Sequence, residues 1–131
     1  MTLVKFTSPD GKGKAVLVNP AMVERIALPG IGETGGAALG GQSGGDHRVF
    51  EDVNEAVRRL RQHVALARFT ATFRGLPVYV NPGMVEKVML PFAGETGKAT
   101  IYLQSGNQQR VMESVDEVER ALADAQPPPT G

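Results

Sequence analysis

The chain has 131 residues, 41% hydrophobic and 21% charged, which is typical of a folded globular protein. Fourteen Lys and Arg balance fourteen Asp and Glu, so the net charge of zero gives no general attraction to a phosphate backbone. The absence of cysteine excludes disulfides and thiolate chemistry, and the short apolar runs predict a cytoplasmic protein without membrane insertion or a secretion signal.

The chain begins with a predicted hairpin and a single helical turn. Residues 4–7 alternate apolar and polar side chains, as expected of a strand with one buried face, and residues 16–18 form the return strand. Asn19 can cap a helical turn with its side-chain oxygen. Pro20 suits the first position of that turn, because the N–H that proline lacks would have no partner there.

A weaker strand and a helix follow. Residues 38–41 are Ala-Leu-Gly-Gly, and the two glycines predict either a frayed or bulged edge strand or a contact surface. Asp52 and Glu55 have the spacing of a capping box. The helix that they begin carries apolar residues at helical spacing, namely Val53, Ala56, Val57 and Leu60.

The same elements recur 62 positions later, which indicates an internal duplication. Residues 16–62 align with 78–124 without a gap, and 24 of the 47 aligned pairs are identical. The alignment places Asn81 and Pro82 on the cap and first position of a second helical turn. The second helix has its own capping-box residues, Ser114 and Glu117.

We therefore predict an α+β fold built from two copies of a small antiparallel sheet, each closed by its C-terminal helix and related by a pseudo-twofold. Copy 1 comprises residues 1–66 and copy 2 residues 67–125, and a disordered proline-rich tail follows at 126–131. One copy of about 60 residues has a small core, so a covalent pseudo-dimer buries surface that a lone copy would expose.

No pattern of residues predicts catalysis. The Gly-Glu-Thr-Gly loops at 32–35 and 94–97 lack the lysine and the following helix of a phosphate loop. His47 and His63 have no histidine counterpart in copy 2 and form a poor metal-ligand set. We predict a protein that is not an enzyme, with no cofactor, no metal and no catalytic residue.

Acidic residues after the Asn-Pro turns have two interpretations. Glu24 precedes Arg25, and Glu86 precedes Lys87, so each carboxylate is either a recognition charge or one end of a surface ion pair.

Two sets of residues are candidates for partner contact. The basic set could contact nucleic acid or form an ordinary solvated helix face, and consists of Arg58, Arg59, Arg61 and Arg68. The apolar set could contact a protein, and consists of Met89, Phe92 and Tyr102. A protein partner is favoured because the few aromatic residues make a base-stacking platform improbable. Oligomerisation beyond the intrachain pseudo-dimer is left open.

The motifs of copy 2 resemble a known family. Residues 78–88 (VYVNPGMVEKV), 103–106 (LQSG) and 110–118 (RVMESVDEV) are similar to the FlbD/SwrD-like family of flagellar and swarming-motility proteins. Members of that family are about one copy long, and the resemblance spans nearly all of each copy. It implies a bacterial binding or assembly module with a motility role.

A weaker resemblance implies a different function. The same order of strand, turn, strand and helix is similar to the core of the LytTR class of bacterial transcription-factor domains. It implies a nucleic-acid-binding transcriptional regulator as the alternative. The basic, histidine-containing segment that enters DNA in that class has no counterpart in this sequence.

Overall fold

The computed structural model describes residues 2–10, 12–28, 36–41, 45–72, 74–90 and 98–125. Both Gly-Glu-Thr-Gly loops, Phe92 and the tail at 126–131 lie outside these residues. The described chain is α+β, with antiparallel strands and two helices, which confirms the predicted fold class. In the part of the chain that is described, neither helix is long and apolar enough to cross a membrane.

The two halves have the same order of elements. The first contains β1 Val4–Thr7, β2 Ala15–Val18, a 3₁₀ turn Pro20–Met22, β3 Val23–Ala27, β4 Ala38–Gly41, β5 Asp46–Arg48 and α1 Val53–Leu60. The second contains β6 Ala67–Thr70, β7 Pro77–Val80, a 3₁₀ turn Pro82–Met84, β8 Val85–Met89, β9 Ala99–Leu103, β10 Gln108–Val111 and α2 Val115–Asp124.

Side-chain caps begin both 3₁₀ turns and both helices. Asn19 accepts a hydrogen bond from the Ala21 N–H at 3.1 Å, and Asn81 accepts one from the Gly83 N–H at 3.0 Å. At α2 both halves of the capping box are formed between Ser114 and Glu117. At α1 Asp52 accepts from the N–H of Glu55, whereas the Glu55 carboxylate bonds to Arg58 and Arg59 instead of closing the box.

The largest sheet draws on both copies. Its five strands have the order β5-β4-β3-β7-β6, a three-stranded sheet has the order β10-β9-β8, and β1 and β2 form a hairpin. The copies meet where β3 pairs antiparallel with β7, with Ile26 opposite Tyr79. The sheet therefore crosses the predicted boundary between the copies, because β4 pairs with one edge of β3 and β7 pairs with the other.

The equivalent pairing between the other two strands, β2 and β8, is not formed among the described residues. A complete pseudo-twofold would place β8 beside β2, since these strands are the repeat equivalents of β3 and β7. In the described chain β8 pairs with β9 alone, and β2 pairs with β1 alone. In the described chain β2 of copy 1 and β8 of copy 2 consequently have no strand along their second edge.

Each copy has its own apolar core. The first surrounds Phe6, Ile26 and Leu60, and the second surrounds Phe69 and Ile101. Burial of a large apolar side chain stabilises a fold by about 1.5–3 kcal/mol. The predicted apolar face of α1 packs into the core of copy 1, where four of its residues are buried: Val53, Ala56, Val57 and Leu60.

A glutamate ties the first strand of each copy to the segment before its helix. The Thr7 N–H donates to Oε1 of Glu51 at 2.9 Å, and the Thr70 N–H donates to Oε1 of Glu113 at 2.9 Å. Partial burial opposes ionisation of Glu51, but hydrogen bonds from Thr7 and the charge of Arg59 together lower its pKa. These two glutamates align in the repeat, and sequence reasoning gave them no role.

Candidate binding surfaces

The contact between the copies buries one glutamate. Glu24 on β3 is fully buried, and its carboxylate accepts hydrogen bonds from the N–H and hydroxyl of Ser105 at 2.8 and 2.7 Å. A buried carboxylate needs such donors, because leaving water costs an ion several kcal/mol. The two surface interpretations of Glu24 are therefore wrong, whereas its repeat equivalent Glu86 is exposed.

Asn81 connects its turn to the same strand. Its N–H donates to the Glu24 carbonyl at 2.9 Å, and its side-chain amide donates to the Val23 carbonyl at 3.0 Å. One asparagine thus caps its own turn and satisfies two backbone carbonyls of the other copy. Asn19 makes the capping bond in copy 1.

Gly40 makes room for an arginine that also reaches copy 2. A Cβ atom at Gly40 would lie 2.9 Å from Cγ of Arg25 and 3.0 Å from Oδ1 of Asp46. The Arg25 guanidinium extends past this position and donates to Oε1 of Gln109 at 2.8 Å. A larger residue at position 40 would therefore force the Arg25 side chain to move.

The expectation of an edge strand at residues 38–41 is wrong. β4 is an interior strand, because it lies between β3 and β5. The register of β3 against β4 shifts between Val23 and Arg25, and the register of β8 against β9 shifts in the same way between Val85 and Lys87. The shift occurs in both copies, so the glycines of copy 1 do not cause it.

An apolar groove lies beside the open edge of β2. It has a volume of about 670 Å³ and is lined mainly by apolar residues, among them Val16, Leu17, Val18, Met22 and Leu39. Leu17 is 59% exposed and Met22 is 46% exposed. Gly40 and Gly41 line part of the groove, at the positions where copy 2 has Tyr102 and Leu103, and the interpretation of these glycines as a contact surface stays a prediction.

The described apolar candidates of copy 2, Met89 and Tyr102, lie on the neighbouring strands β8 and β9. Met89 is the last residue of β8 and is 38% exposed. Tyr102 on β9 is half-buried, and the Lys87 ammonium lies 5.0 Å from the centre of its ring. Phe92 lies outside the described residues.

Two of the candidate arginines are paired with carboxylates. Arg58 and Arg59 donate to Glu55 at 2.9 and 2.7 Å, and Arg59 also contacts Glu51 at 3.1 Å. Hydrogen bonds from Arg58 and then Arg59 lower the pKa of Glu55 to about 2. This part of α1 therefore carries less positive charge toward solvent than its arginines imply.

The other two arginines occupy different positions. Arg61 donates to the Leu66 carbonyl at 3.3 Å, and its guanidinium lies 5.4 Å from the centre of the Tyr79 ring. Arg68 is exposed on β6. Among the described residues no three His, Cys, Asp or Glu side chains come together as a metal site.

Comparisons of the chain with protein-family models, curated proteins and solved structures return no match. The resemblance to the FlbD/SwrD-like family therefore depends on the motifs between residues 78 and 118 alone.

Proposed function

We propose that the chain is a non-enzymatic bacterial binding and assembly module with a motility-related role, and that it takes a protein partner along an open strand edge. The observation that carries the proposal is the outer edge of β2, which has no strand beside it in the described chain and borders the apolar groove. An open edge offers backbone N–H and C=O groups to an added strand, and neighbouring pockets select its side chains.

The composition of β2 supports binding at this edge. Proteins usually protect an exposed edge with a lysine, a proline or a bulge inside the strand. β2 is Ala-Val-Leu-Val, which contains neither lysine nor proline, and it pairs with β1 without a bulge. Leu17 extends an exposed apolar side chain beside the groove. Such an edge favours association with another chain, which supports a binding role for β2.

A photo-crosslinking amino acid placed at Leu17 tests the proposal in a bacterium that expresses the chain. The matched control is Met112, which is 48% exposed and follows β10, outside the lining of the groove. We expect protein adducts at Leu17 and few at Met112. Equal yields at the two positions, or no adduct at Leu17, would contradict binding at β2.

The motility part of the proposal has a separate test. Deletion of the coding gene should reduce swimming or swarming on soft agar, and the intact gene should restore it. A deletion strain that spreads as fast as its parent removes the motility role and leaves the binding role to the crosslinking result.

The alternative, a nucleic-acid-binding regulator, is supported by the exposed position of Arg58, whose side chain is 63% accessible. It predicts a salt-dependent gel shift that weakens on charge reversal at Arg58 and Arg61, with Arg120→Glu on α2 as the control. The pairing of Arg58 and Arg59 with Glu55 opposes this function, because a paired guanidinium releases fewer counterions from DNA.

A further inference from the structure

The β3–β7 contact buries residues whose repeat equivalents are exposed. Glu24 is buried and Glu86 is exposed. Met84, which follows β7, is 7% exposed, whereas its equivalent Met22, which follows β2, is 46% exposed. The repeat therefore supplies the strands for two equivalent contacts, β3 with β7 and β8 with β2. The described chain forms the first of them.

The unused strands have the shape of the used ones. Asn19 has φ −81° and ψ 109°, and Asn81 has φ −81° and ψ 111°. Val23 and Val85, which end the two 3₁₀ turns, also agree within a few degrees in both angles. β8 carries the same register shift as β3. The turn after β2 and the strand β8 thus match the turn after β7 and the strand β3, which meet inside the chain.

We propose that β8 of one chain pairs antiparallel with β2 of a second copy, in the register of the β3–β7 contact. The inference rests on the proposed use of the β2 edge for binding and names its partner. Shifting the observed register by 62 positions places Val88 opposite Leu17, with Lys87 opposite Val18 and Met89 opposite Val16.

This pairing forms hydrogen bonds and buries apolar side chains at the same contact. The Asn19 amide takes the role of Asn81, whose side chain donates to the Val23 carbonyl, and so donates to the Val85 carbonyl of the second copy. Met22 becomes buried as its equivalent Met84 is inside the chain, and Leu17 becomes half-buried like its equivalent Tyr79.

The resulting assembly is head-to-tail. A contact between two different surfaces leaves one β2 edge and one β8 edge at the ends of any open chain of copies. Repetition of the contact either closes a ring or extends a filament. Both forms pair every β2 edge with a β8 edge, except for the one edge of each kind at the ends of a filament.

Cysteine crosslinking tests the register, because the natural chain contains no cysteine. Leu17→Cys and Val88→Cys are made as separate variants and mixed under mild oxidation. We expect covalent dimers mainly in the mixture and little in either variant alone. Arg120→Cys, at an exposed position on α2, is mixed with each variant and measures the background rate of crosslinking.

The mass of the particle in solution tests the association. Light scattering should give a multiple of the 13.9 kDa chain mass, and Leu17→Arg should shift it to 13.9 kDa with an unchanged circular dichroism spectrum. A wild-type mass of 13.9 kDa at all concentrations overturns the proposal. Crosslinking of either single variant as efficiently as the mixture also overturns it, because that result indicates like edges in contact.

Failure of this inference is distinguishable from failure of the proposed function. A monomeric chain whose Leu17 photo-crosslinks to a different protein refutes pairing between copies and leaves the β2 edge as a binding site. A monomeric chain with no adduct at Leu17 refutes both.

Discussion

Glu24 and Glu86 are the same residue in the same motif, and their surroundings give them different energetic roles. Glu24 is buried and accepts two hydrogen bonds from Ser105, whereas Glu86 is exposed. A buried carboxylate stabilises a contact only when hydrogen-bond donors face it, and Ser105 supplies them here. Removing the Glu24 carboxylate would leave the Ser105 N–H without its acceptor.

Replacement of these two glutamates should therefore have unequal effects on stability. Glu24→Ala should lower the free energy of unfolding by about 1–3 kcal/mol, because it orphans a part-buried donor. Glu86→Ala should change it by less than about 0.5 kcal/mol, as is usual at exposed positions. Urea denaturation at low protein concentration measures both, and equal losses would contradict the burial of Glu24.

The Glu55 carboxylate should report the charge pairing on α1. Its pKa is lowered from the ordinary value of 4.5 to about 2 by Arg58 and Arg59. A pKa lowered by folding contributes stability above the unfolded value, and this contribution is lost as the pH falls from about 4.5 through about 2.

Removing one arginine should move that titration. Arg58→Gln should raise the pKa of Glu55 toward its ordinary value, because the larger of its two hydrogen-bond contributions is lost. Carboxyl NMR titration measures the pKa, and Arg120→Gln is the control on α2. An unchanged pKa in Arg58→Gln would show that the pair does not hold in solution.

At the scale of elements, β4 shows how a strand of weak strand formers occupies an interior position. Ala38–Gly41 pairs on both sides, with β3 and with β5. Neighbouring strands supply the hydrogen bonds, and the missing side chain at Gly40 provides the space in which Arg25 lies. The usual cost of glycine in a strand is offset by this packing.

A side chain at position 40 should disrupt the contact between the copies. Gly40→Val should lower the free energy of unfolding by about 1–3 kcal/mol, because the added atoms displace Arg25 and overpack the strand. Gly45→Ala is the control, since a Cβ there meets no atom within 4 Å. Thermal unfolding of the two variants measures the difference, and equal melting temperatures would contradict the proposed role of Gly40.

At the scale of the whole molecule, the copies depend on each other through β3 and β7. Copy 1 supplies Glu24 and copy 2 supplies Ser105 and Asn81, so neither set of polar groups is satisfied when a copy stands alone. A copy of about 60 residues also has little core with which to offset such a loss.

Separate halves should therefore recombine. Chains of residues 1–66 and 67–125 mixed in equal amounts should form a 1:1 complex that melts at a higher temperature than either half. Light scattering and calorimetry measure these properties. The Glu24→Ala half should bind more weakly than its wild-type counterpart, and halves that do not associate would show that the β3–β7 contact depends on the covalent connection.

The sequence by itself determined the elements and their class. Strands, Asn caps and helices depend on residues a few positions apart, and residues 4–7, Asn19, Asn81 and α1 follow these short-range rules. The α+β class follows from the order of those elements, and the half-made capping box at Asp52 departs from expectation because Arg58 and Arg59 compete for Glu55.

Only the tertiary structure decided which equivalent positions are buried. The two copies share the motif Val-Asn-Pro, and yet Asn81 is buried against β3 whereas Asn19 is half-buried at the open edge. Arg25 and its pairing partner Val80 are far apart in the sequence, and no local periodicity records that they meet. Burial depends on the neighbour that a strand acquires on folding, so the shared Val-Asn-Pro motif has nearly the same backbone angles and different surroundings in the two copies.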